Sequence, residues 1–92
     1  MIEPTIEKFL ITEEPVMKLA MDVMQVLNKL GKITIKGKDL SCPATVSVAN
    51  IITQNILNGV TKTDKISVDS EISEDGRLTS TIEIVITKIS NQ

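Results

Sequence analysis

From Lys65 to Ile89 two runs with apolar residues at alternate positions flank Ser73-Glu74-Asp75-Gly76-Arg77. Ile66, Val68 and Ile72 share one parity before that segment, and Ile82, Ile84 and Ile86 share one after it. A period of two over this length is the signature of a strand with one buried face. Asp-Gly between two such runs is a strong hairpin signal, because both residues tolerate the positive φ that a tight turn requires. The C-terminal part of the chain is therefore read as two antiparallel strands, 65–72 and 78–89, long enough for the turn to project past the body as an arm.

The preceding sequence changes period twice. Val16, Leu19, Ala20, Val23, Leu27 and Leu30 recur at helical spacing over residues 15–30, with Pro15 suited to the first turn and Gly31 to the stop. Residues 32–36 return to a period of two through Ile33 and Ile35. Gly37, Lys38 and Asp39 read as a loop. A second helix follows from Ser41 or Cys42 to a stop at Gly59. Residues 5–11 read as a short first strand. The order is β-α-β-α-β-β: an α+β two-layer sandwich with a four-stranded sheet and both helices on one face. At 92 residues a single domain, 1–92, is expected. A core this small is marginal alone, so association would help.

The second helix carries Ser47, Asn50, Gln54 and Asn58 along one side, and no charged residue occurs from Leu40 to Thr61. Pro43 and the recurrent Ser, Thr, Asn and Gln argue against a membrane span. An uncharged polar stripe on a largely apolar helix fits either a second surface lying close or a helix wedged within its own domain.

Composition removes several functions. Histidine is absent, Cys42 is the lone cysteine, and the net charge is −2. Without histidine the commonest general base and metal ligand are missing, and an enzyme is not expected. No metal-ligand cluster and no phosphate-cradling glycine loop is legible, so neither a metal nor a cofactor is implied. Phe9 is the one aromatic residue, which rules out a row of base-stacking rings. An unpaired cysteine and an N-terminus with no basic or apolar leader fit a cytoplasmic protein.

Three stretches in this order resemble the Alba family, small dimeric nucleic-acid-binding proteins of archaea with eukaryotic relatives: Pro15-Val16-Met17, Ile33 to Lys38, and Asp75-Gly76-Arg77 followed by Ser80 to Lys88. The resemblance runs from about Leu10 to Ile89. It implies a fold like the C-terminal domain of translation initiation factor 3 and a homodimer or a heterodimer with a related protein. It also implies DNA or RNA as partner, a chromatin or RNA association, and a nucleoid location in an archaeon. Nucleic acid would meet the body through basic stretches while the hairpin arms reach along the minor groove. Carried onto this chain, the contacts fall on Lys36, Gly37, Lys38 and Arg77.

The chain also departs from that pattern. Glu13 and Glu14 stand where the family typically has two lysines, Asp39 replaces a glycine, and Leu40 replaces an arginine. Thr53-Gln54-Asn55-Ile56 replaces Arg-Asn-Arg-Phe, whose Phe is associated with dimer–dimer contacts. Acids before a helix can be ordinary helix-end chemistry, about 0.3–1 kcal/mol per well-placed carboxylate. They are also a reversal of charge on a phosphate-facing patch. Two functional classes follow. One is a dimeric module that binds nucleic acid weakly and without sequence preference. The other is an Alba-fold interaction subunit that has lost most nucleic-acid affinity and acts by pairing with a basic relative or another protein.

Overall fold

A computed structural model describes residues 8–57 and 59–89. The elements in order are β1 (Lys8–Leu10), α1 (Val16–Leu30), β2 (Lys32–Lys38), a 3-10 turn (Asp39–Ser41), α2 (Cys42–Asn50), a π-helical segment (Ile51–Ile56), β3 (Thr61–Ile72) and β4 (Leu78–Lys88). They form one four-stranded sheet in the order β1-β2-β4-β3. β1 runs parallel to β2, and the other pairings are antiparallel. The expected α+β sandwich is present. Within the first expected strand, residues 5–7 lie outside the described residues.

Three boundaries differ from the sequence reading, each for a physical reason. Gly37 and Lys38 belong to β2 rather than to a loop, because they pair with Ile82 and Thr81 of β4. The second helix is not uniform. The Thr53 hydroxyl donates to the Ala49 carbonyl at 2.9 Å, and the Leu57 N–H reaches the Ile52 carbonyl at 2.8 Å, five residues back. A side chain competing for a backbone acceptor and a widened turn occur together there. β3 starts at Thr61 rather than Lys65, because Thr61, Lys62 and Thr63 pair with Lys88, Thr87 and Ile86 before a bulge between Thr63 and Lys65.

The core lies between sheet and helices. Leu19, Ala20, Val23 and Leu27 of α1 meet Ile33 and Ile35 of β2, Val48 and Ala49 of α2, Ile52, and Ile84 and Ile86 of β4. The 3.6-residue spacing of α1 supplies one apolar stripe, and the two-residue spacing of the strands supplies one apolar face. Because side chains alternate in a strand, even-numbered β4 residues point toward the helices and odd-numbered ones toward the open face.

The hairpin outruns the helices. β2 ends where Lys38 pairs with Thr81, whereas β3 and β4 continue to Ile72 and Leu78. The turn closes with Ser73 N–H to Arg77 O at 2.8 Å and Gly76 N–H to Ser73 O at 2.9 Å. Gly76 sits at φ 87°, a conformation side-chain-bearing residues seldom adopt. Ile66, Val68, Ile72 and Leu78 continue the helix-side face of the sheet outward. No helix covers them, and they are 58%, 72%, 74% and 69% exposed.

Candidate nucleic-acid interface

The end of β2, the turn after it and the root of the arm meet in one place. Asp39 adopts φ 48°, a left-handed conformation that aspartate tolerates better than most residues. Its Oδ1 accepts a hydrogen bond from the Ser80 N–H at 3.2 Å, which ties the turn to β4. The Cys42 Sγ lies 3.7 Å from the Gly37 carbonyl oxygen and 3.9 Å from that of Ser80. Leu40 is held at the outside of this turn, 92% exposed.

Gly37 is buried beneath α2. A Cβ there would fall inside the Thr45 side chain and 2.8 Å from the Ser41 carbonyl oxygen. The glycine lets the helix approach the strand, and its burial makes it a packing residue. The two lysines that flank it differ. Lys36 keeps 20% of its side chain exposed and lies 3.8 Å from Glu83, whose carboxylate is also 3.2 Å from Lys8. Lys38 is exposed and makes no ion pair among the described residues.

Arg77 stands at the far end of the arm with its side chain 82% exposed and its Nε 3.5 Å from Asp75. The same carboxylate accepts from the Ser73 hydroxyl and the Arg77 N–H. These two donors, Ser73 first, hold the Asp75 carboxyl below its ordinary range. Asp75 therefore stays ionised beside the guanidinium.

Glu13 and Glu14 are exposed and precede Pro15, which occupies the cap position of α1. Neither acid lies in the first helical turn and neither caps it, so the helix-end account of these acids is weak. Glu14 instead lies 3.3 Å from Lys18, which is 3.0 Å from Asp22 on its other side. Asp22 first, then Glu14, raises the Lys18 pKa above its usual value. Lys18 is thereby enclosed by acids. The stripe on α2 presents Ser47 and Asn50 as exposed residues, continued by Gln54. Asn58 lies outside the described residues. Among the described residues no group of His, Cys, Asp or Glu side chains is placed to hold a metal, and no helix is long and apolar enough to cross a membrane.

A family model described as Alba matches residues 7–70. The chain belongs to the Alba family. The matched region runs from β1 through α2 and the π-helical segment to most of β3, while β4 enters through likeness of structure. Alba from Thermoplasma volcanium superposes with a TM-score of 0.76 at 27% identity, covering 88% of this chain and 99% of that one. ALBA1 from Trypanosoma brucei superposes with a TM-score of 0.76 at 14% identity, covering 96% of this chain and 74% of that one, a likeness of fold. No curated protein sequence matches the chain at a significant level. The Alba-family fold is consistent with nucleic-acid binding in general. It also turns attention to lysines that the sequence reading left aside. Lys8, Lys32, Lys62 and Lys65 project from the open face of the sheet. The alternating position of Lys32 in β2 was a legible signal. Lys62 and Lys65 have opposite parity, so no sequence pattern places them on one face.

Proposed function

We propose that the chain is a dimeric nucleic-acid-binding module whose contacts are electrostatic, weak and indifferent to sequence. The observation that carries this reading is the uncovered apolar strip of Ile66, Val68, Ile72 and Leu78 on an Alba-family hairpin. Apolar side chains in a row along one face invite a second copy. A two-fold pair then presents every exposed lysine twice to a duplex. Lys38 contributes a phosphate contact from the turn side, and Arg77 contributes one from the arm once nucleic acid competes with Asp75. The net charge of −2 keeps the affinity low.

The enclosure of Lys18 by Glu14 and Asp22 favours a second reading, in which the chain pairs with a basic relative that carries most of the phosphate contacts. One experiment separates the two. Labelled duplex DNA, single-stranded DNA and RNA are titrated at low and moderate salt. The binding module retains nucleic acid at low salt and releases it steeply as salt rises. Absence of binding at low salt to all three leaves the interaction subunit. Sedimentation of the protein alone tests the dimer.

A further inference from the structure

Charge on the open face of the sheet is sorted by row. Residues that pair across strands share a face, so the register fixes which side chains lie together. The row farthest from the arm reads Lys32, Thr87, Lys62, and the next reads Lys8, Thr34, Val85, Lys65. The third row holds Lys36 opposite Glu83, the fourth Lys38 opposite Thr81 and Asp69, and the last Thr79 opposite Glu71. The face thus passes from lysines at its root to acids along the arm. The bulge between Thr63 and Lys65 creates this arrangement, because it brings Lys62 and Lys65 to the same side despite their opposite parity.

We propose that this root face, carrying Lys8, Lys32, Lys62 and Lys65, is the principal phosphate-binding surface of the chain. It displaces the main contact from the turn and arm to the opposite end of the sheet. The proposal rests on the nucleic-acid reading above and names the surface that performs it. All four lysines are exposed. Lys32 and Lys65 make no ion pair among the described residues, while Lys62 has Asp64 at 4.0 Å and Lys8 has Glu83 at 3.2 Å. The two flanks of the patch, Lys8 with Lys32 and Lys62 with Lys65, are separated by two to three strand spacings, about 10–14 Å. That separation is close to the width of the B-DNA major groove, about 12 Å, so each flank can follow one phosphate strand of a double helix. The face carries no aromatic side chain, which removes base stacking and leaves the backbone of a duplex as the ligand. The acids of the arm repel the same duplex and orient it toward the root.

The test compares two variants by titration of duplex DNA over a salt series, with thermal melting as the check on folding. In Lys32→Gln/Lys62→Gln/Lys65→Gln the slope of log affinity against log salt flattens by roughly 0.9 per lost contact, about 2.7 per protomer engaged. Affinity at low salt falls at least about tenfold. In Lys38→Gln/Arg77→Gln both changes are smaller. Should the triple variant fold poorly, Lys65→Gln alone flattens the slope by about 0.9. A triple variant with wild-type affinity and slope overturns the proposal while leaving the binding module intact. Loss of higher oligomers with unchanged duplex binding also overturns it, and identifies the acidic arm of a second copy as the occupant. A wild-type chain that binds no nucleic acid at low salt defeats the underlying function instead.

Discussion

The root and the arm of the β3–β4 hairpin are one pair of strands with one alternation, yet they have opposite surroundings. At the root Ile84 and Ile86 are buried beneath α1 and α2, whereas at the arm Ile72 and Leu78 point the same way into open solvent. On the reverse face the root bears Lys62 and Lys65, with Lys32 of β2 in the same row as Lys62, and the arm bears Asp69 and Glu71. Alternation decides which side of a sheet a residue takes. What stands above that side decides whether the residue stabilises the monomer or is left in solvent.

Truncation breaks this comparison most directly. Ile84→Ala removes a fully buried side chain from the centre of the core and is expected to destabilise the chain by about 2–5 kcal/mol in urea denaturation. Ile72→Ala, on the same face and in the same hairpin, is expected to change monomer stability by less than about 0.5 kcal/mol. Comparable losses at both sites would mean that the arm is already packed within one chain. Next in size is Gly37→Ala, whose methyl group must displace Thr45 or lift α2 from β2, a cost of about 1–3 kcal/mol. A denaturation midpoint unchanged in that variant would show that the helix is not held against the strand there.

Much of this fold is legible in the sequence. The periods of α1, β2 and β4 are long and regular, and each element formed close to where its period placed it. Where the sequence misled, a local contact overrode the pattern. Gly37 reads as a turn residue in isolation, but its role depends on Thr45, which only the packing of α2 brings near. Lys36 reads as a phosphate contact, but Glu83 of the neighbouring strand lies beside it. The shared face of Lys62 and Lys65 is hidden for a subtler reason. A bulge shifts parity by one, and nothing in Thr61-Lys62-Thr63-Asp64-Lys65 announces it.

The apolar strip gives the next prediction. Val68→Lys/Ile72→Lys places two charges where a second copy is expected to lie, and should raise the dimer dissociation constant at least about tenfold by sedimentation. Monomer folding should hardly change, because both sites are exposed in the single chain. A dimer of undiminished strength would locate its interface elsewhere, with the uncharged stripe on α2 as the next candidate. A smaller effect is expected at the other charged edge. Glu13→Lys/Glu14→Lys restores cations before α1 and releases Lys18 from one of its two acids. Duplex affinity should rise, and the salt slope should steepen by up to about 1.8 per protomer. An unchanged slope would show that this edge faces away from nucleic acid.

The smallest effect concerns the arm alone. Asp75 gathers the Ser73 hydroxyl, the Arg77 N–H and the Arg77 guanidinium at the tip of the hairpin. Its pKa is lowered in the folded state, from 3.8 toward more acidic values. A carboxylate with a depressed folded pKa adds stability that is fully present above the unfolded pKa. That stability is lost as pH falls through the folded one. The turn should therefore be at full strength at neutral pH and loosen only below about pH 4. Amide exchange at Gly76 and Arg77, followed from pH 5 downward and corrected for intrinsic rates, would report the loosening. Asp75→Asn should abolish this pH dependence while leaving exchange in β2 and α1 unaffected. If exchange throughout the body shifted with the tip, the hairpin would be one cooperative unit from turn to root. The independence of the arm would then be lost, and with it the contrast between an end that builds the monomer and an end that stands in solvent.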